Sequence, residues 1–191
     1  MGDGRRDSDL RLRTTILGLS ALALLLPSAA AARPCPGADT PPAVASPGRL
    51  ERAMTCVIER ERVRHGRSEV HTSRRLAMAA RVHARDMVAH DYFDHLAPDG
   101  THVDDRIRQT GYLTGVRAWR VGEVLAWGAG PTGSARGTVR AWLRSSPHRA
   151  VLLDPAFRDV GLAVVPGAPR PGGIAGAATA VAVFGRRGAT G

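Results

Sequence analysis

The chain of 191 residues has room for one domain with a real core, which excludes two domains of ordinary size. Its 27 basic residues against 17 acidic ones give a net charge of +10, yet every basic residue is an arginine, and lysine and asparagine are both absent. That pattern reads as GC-rich codon usage, so the charge speaks to non-specific adhesion to anionic wall polymers, lipid head groups or nucleic acid rather than to fold; with arginines in every segment and no nucleic-acid motif, specific nucleic-acid recognition is excluded.

Residues 1–32 have the order of a secretory signal peptide: Arg5, Arg6, Arg11 and Arg13, then the apolar run Ile16 to Leu26, then Pro27 and the small residues Ser28 to Ala32. Cleavage is expected near Ala30 to Ala32, and the run is short for a permanent bilayer span. Asp7, Ser8 and Asp9 after the arginine pair argue against twin-arginine export, and Arg33 and Pro34 before Cys35 argue against lipoprotein processing. The protein is therefore expected to be secreted. In an oxidising compartment its two cysteines, Cys35 and Cys56, read as one disulfide, with a loop closure contributing on the order of 3 kcal/mol; two separate thiols are the other reading.

Residues 33–48 are rich in Pro, Ala and Gly and read as an extended lead-in to a domain spanning 49–187, with 188–191 a tail. Ser46 and Pro47 form an N-cap and N1 pair, and Leu50, Ala53, Met54, Val57 and Ile58 recur at helical spacing until Gly66. Glu51, Arg52, Glu59, Arg60 and Arg62 lie opposite and read as a solvated face. A second helix from Thr72 or Ser73 to about His90 carries Leu76, Ala80, His83 and Met87 on one stripe, which makes His83 a buried, hydrogen-bonded core residue. His90 and His102 read as surface or capping residues, and Asp104 to Thr110 as a short helix closed by Gly111.

A strand over Val116 to Leu125 delivers Glu123, and Gly128 to Gly133 forms a turn. Ser134 caps a further helix with Val139, Trp142 and Leu143 inward; Pro147 interrupts it, so His148 begins a new turn. Val160 to Val165 and Ala177 to Phe184 read as two strands joined by the loop Pro166 to Gly173. Helices first and strands later predict an α+β fold with an antiparallel sheet.

His95, Glu123 and His148 are too far apart for any local ligand code, but each stands where an element ends and a cleft can open. Their surroundings are specific. The stretches MTCVIERERVRHG, ARVHARDMVAHDYFDH with its following DG, DR before GY, VGE, W followed by SSPHR, and LLDPAFRDVGLAV stand in this order. In these blocks the chain resembles the CAP superfamily, the cysteine-rich secretory, antigen 5 and pathogenesis-related class 1 proteins, in its small bacterial exported branch, over roughly Leu50 to Phe184. The resemblance implies an α-β-α sandwich with a central antiparallel sheet flanked by helices, and a shallow cavity whose two histidines fall on His95 and His148 and whose first acid falls on Glu123. The chain departs from the family pattern where a second acid is common, having no Asp or Glu between Glu123 and Asp154; Val124 replaces the usual asparagine and Asp94 the usual serine.

Three functions compete for this constellation. Two imidazoles and a carboxylate suit zinc or another divalent cation with a fourth position for water, and Asp94 would then steady the ring of His95; a hydrogen-bonded cluster without an ion is the plain alternative. A metal-dependent hydrolase acting on envelope or peptide substrates would use Glu123 and His148, whereas Ser145 and Ser146 are poorly placed as nucleophiles and no G-x-S-x-G elbow exists. Arg106 reads as part of a structural ion pair, with a place near the cavity as the other reading. Binding of a small ligand, lipid or cell-envelope component by a monomer is the favoured reading, with Trp119, Trp127 and Trp142 offering only general support and Trp142 assigned to the core.

Overall fold

A computed structural model describes residues 34–188; the expected signal segment and all but the first residue of the expected tail lie outside them. Helix α1 (Pro47–Arg64) follows a turn-rich segment, and Pro47 sits in its first turn, where a missing N–H costs nothing. Cys35 and Cys56 are joined in a disulfide, tying that segment to α1. Strand β1 (His71–Thr72) leads into α2 (Arg74–Ala89), whose N-cap Ser73 accepts a hydrogen bond from the Leu76 N–H. Then come α3 (Val103–Gln109), β2 (Trp119–Ala129), a 3-10 turn at Gly130–Gly133, α4 (Ala135–Arg144) capped by Ser134, α5 (Ser146–Leu152), β3 (Asp159–Pro166) and β4 (Ala177–Arg187).

The sheet order is β1-β3-β4-β2; β3 and β2 both run antiparallel to β4, while the two residues of β1 pair parallel with β3. The α+β expectation holds. The parallel edge is an addition, because a two-residue strand carries no periodicity for sequence reading to detect. β2 begins three residues later than expected and runs through Gly128, which pairs with Ala178 instead of turning.

Alternation along the strands builds two cores on the two sheet faces. Val160, Leu162, Val164, Ala182 and Phe184 face one layer with Leu50, Met54, Ile58 of α1, Trp142 of α4 and Leu152 of α5. Ala163, Val165, Val181 and Val183 face the other with Leu76, Ala80, Met87 of α2 and Ile107 of α3. Gly161 lets α2 lie close on β3: a Cβ there would overlap the backbone nitrogen of Ala77. Trp142 satisfies its buried indole N–H on the Leu125 carbonyl at 2.8 Å.

One expectation for α1 fails. Arg62 is not on a solvated face but fully buried, at 0% exposure. Its guanidinium donates to the carbonyls of Ser68 at 2.9 Å, Leu152 at 2.6 Å and Asp154 at 3.2 Å, so it pins the end of α1 to the end of α5 by meeting carbonyls that the helix terminus leaves open. Glu51, on the same helix, also turns inward, accepting from Arg81 at 2.8 Å and from the Val164 N–H at 3.1 Å.

Candidate functional site

The site forms at the β2 edge of the sheet, where the two layers meet. Glu123 and Leu125 point to the α2–α3 side by strand alternation, while Gly122 leaves room on the other side for Val151 of α5 and Phe157, either of which a Cβ would crowd. Glu123 is thus held between α3 and the loop after α2, and α5 brings His148 from the opposite layer.

Glu123 is the electrostatic centre. Its side chain is 2% exposed, and Arg106, 3% exposed, donates from Nη2 to both carboxylate oxygens, at 3.2 Å and 3.1 Å. The same guanidinium donates to the carbonyls of His95 at 3.1 Å and Thr101 at 3.0 Å, so it also shapes the loop that carries His95. His95 Nδ1 lies 2.9 Å from Glu123 Oε1. Donation to a carboxylate puts a proton on Nδ1 and leaves Nε2 outside that bond, on a side chain 53% exposed. A buried carboxylate beneath an exposed, oriented imidazole is the arrangement that results.

A second row supports it. His83 is buried, as its stripe predicts, with Nε2 2.8 Å from the Asp94 carbonyl and 4.0 Å from Glu123 Oε1. Burial holds its pKa below the ordinary value, against the pull of the nearby Glu123 charge, so the ring is neutral at physiological pH. Tyr92 donates its hydroxyl to Asp86 and lies 3.4 Å from His83 Nδ1; burial pushes the phenol up.

Asp94 immediately precedes His95. Its carboxylate accepts the Leu96 N–H at 3.0 Å, closing the turn, and this bond first and foremost holds its pKa down; the ring of His95 turns to Glu123 instead. His148 is half-buried near the start of α5. Burial lowers its pKa, and the charge of His95 lowers it further, so the two imidazoles sense one another across the cleft. Arg106 is the residue that sequence reasoning undervalued: an ion pair was expected, but not one closed on the cavity glutamate.

The donor set has consequences for a metal. Among the described residues no three His, Cys, Asp or Glu side chains converge as a metal-binding group. Arg106 holds both oxygens of Glu123, and a cation ligated there would face a buried guanidinium. The residues as arranged do not fit a His-Glu-His centre.

Comparison with known proteins agrees with this architecture. The description "Cysteine-rich secretory protein family" (CAP) matches residues 57–182. The chain belongs to the CAP family. Its CAP domain is 28% identical over 128 residues to the uncharacterized protein YkwD of Bacillus subtilis, a match covering 66% of this chain and 46% of that protein, so the chain spans about half the length of this relative. Among solved structures, an extracellular SCP-domain protein from Bacillus anthracis superposes with a TM-score of 0.57 at 20% identity, covering 75% of this chain and 44% of that one. An outer surface protein of Borrelia burgdorferi gives 0.57 at 21%, covering 71% and 90%. At these identities the likeness is one of fold.

Proposed function

We propose that this bacterial CAP protein is secreted and binds a small ligand, lipid or envelope component at the His95, Glu123, His148 cleft, without turning it over. The observation that carries the reading is the engagement of Glu123: it is buried, bonded on both oxygens by Arg106 and on one by His95, and the ion pair favours its charged form and lowers its strength as a base. What the cleft offers a ligand is the Nε2 edge of His95 and the neutral imidazole of His148, two polar groups that meet hydroxyls, amides or phosphate esters. Secretion is supported by the signal-like N-terminus and by relatives described as extracellular or outer-surface proteins.

Mass spectrometry of small molecules retained by the exported protein tests the binding reading. Retention by the parent and loss from the doubly substituted His95→Ala, His148→Ala protein is the expected result. Turnover of a peptide, ester or glycan panel that vanishes in Glu123→Gln would overturn it in favour of a hydrolase. On the donor geometry, a divalent ion at this cleft would be held by the two imidazoles with Glu123 outside its coordination sphere. Zinc calorimetry on chelator-stripped protein checks this: heat abolished by the double histidine substitution but kept in Glu123→Gln agrees, and heat that survives the double substitution refutes it.

A further inference from the structure

Six of the arginines that look scattered along the sequence line two neighbouring depressions on one side of the folded domain. Between α1 and α4 lies a groove of about 390 Å³ whose walls include Arg60 and Arg64 of α1 and Arg136 and Arg140 of α4, with Glu61 as its lining carboxylate. Each pair is one helical turn apart, so two rows of guanidinium groups face each other with a repeat of about 6 Å. The groove reaches Arg64, and at the next residue, His65, a second depression of about 580 Å³ begins, lined also by Arg67, by Arg149 of α5 and by Asp154. Six arginines therefore line two depressions that share the end of α1, against two carboxylates.

Those carboxylates cancel part of the field but not all of it. Glu61 is engaged by Arg64 at 3.2 Å, and Asp154 by Arg120, from outside the depressions, at 2.9 Å. Asp39 at the far end pairs with Arg136 at 2.7 Å. The remaining excess is positive, concave and elongated, and concave walls of one sign concentrate counter-ions. Neither depression is lined by Phe, Tyr or Trp, so the face lacks the large aromatic platforms on which successive bases stack in single-strand binders.

We infer that this α1–α4–α5 face binds a linear, phosphate-bearing polymer of the cell envelope. The chain of anionic repeats lies along the groove and continues into the second depression, and binding is electrostatic and salt-dependent rather than residue-specific. The inference stands apart from the cleft: it needs neither His95 nor Glu123, and it would keep a secreted protein at the envelope whatever the cleft holds.

The test is anisotropy of fluorescently labelled poly(glycerol phosphate) titrated with the protein over a range of salt. Arg67→Glu, Arg140→Glu, Arg149→Glu is compared with Arg74→Glu, Arg75→Glu, Arg85→Glu, a triple change of identical charge on exposed positions of α2, across the sheet. Expected are binding by the parent that weakens steeply with salt, a loss of about tenfold or more and a shallower salt slope in the first variant, and near-parental binding in the second. Equal loss in both variants, or a parent slope near zero, would overturn the face. Tighter binding of duplex DNA or of anionic lipid vesicles, abolished by the first variant, would overturn the choice of polymer. Circular dichroism confirms that both variants are folded, and since all six positions are exposed neither change touches the core.

Discussion

Replacing Arg106 by Met leaves the Glu123 carboxylate in a site 2% exposed with His95 as its remaining hydrogen-bond partner, and removes two anchors of the His95 loop at once, the bonds to the His95 and Thr101 carbonyls. Removing one member of a buried ion pair costs about 3–5 kcal/mol, because the partner's desolvation is no longer offset. The lost bonds to two carbonyls are part of that figure rather than additional to it, since all pass through one guanidinium. For a domain of this size the change corresponds to a fall in Tm of roughly 6–20 °C. Glu123→Leu is expected to be costly as well, because it strands a guanidinium 3% exposed. The double substitution Arg106→Met, Glu123→Leu removes both charges and is expected to be milder than the sum of its parts by about 2 kcal/mol or more. Guanidinium chloride titration followed by tryptophan fluorescence, with the disulfide intact and m unchanged, measures each corner of the cycle. A cost below about 1 kcal/mol for Arg106→Met, or additive effects, would refute the claim that this pair organises the site.

Three further outcomes are expected. Burial holds His83 below its ordinary 6.5, so between that value and the lower folded-state one the unfolded chain carries the proton and the folded chain does not. Its contribution is fully present above pH 6.5 and is lost as pH falls towards the folded-state value; thermal melts of parent and His83→Gln should show a shallower decline in the variant over that window. Reducing Cys35–Cys56, which closes a 21-residue separation, should lower stability by about 3 kcal/mol, read as a shift of denaturation midpoint with and without reductant. Gly161→Ala should destabilise by more than about 2 kcal/mol, because the overlap is with α2 backbone and no side chain can move to relieve it; a midpoint within error of the parent would contradict the close packing of α2 on β3.

Local pattern carried much of the fold. The helical stripes of α1, α2 and α4, the cap Ser134, the stop before His148 and the two C-terminal strands all follow from spacings of a few residues, which one stretch of chain contains in full. The buried setting of His83 and of Trp142 was legible in the same way, as positions on an apolar stripe. The site was legible as a set of residues but not as a set of bonds. His95, Glu123 and His148 stand out by their neighbours, whereas the partner of each depends on which layer of the fold delivers it.

Arg106 and Arg62 make the difference plain. Both are arginines in a chain where arginine fills every basic position, so neither could be told from a solvated neighbour by type or by spacing. Folding buries both, one against Glu123 and one against the carbonyls at the end of α5, where several acceptors stand in for the water that a guanidinium gives up, while Arg62 Nη2 and Arg106 Nε stay without a partner. The same process assembles the arginine-lined face from α1, α4 and α5. Residue order alone is enough to specify most of the elements, their apolar stripes, the single disulfide and the family. Which charges are paired, which are buried and which share a surface emerges only on folding, since those are relations between residues tens of positions apart that act over a few ångströms in space.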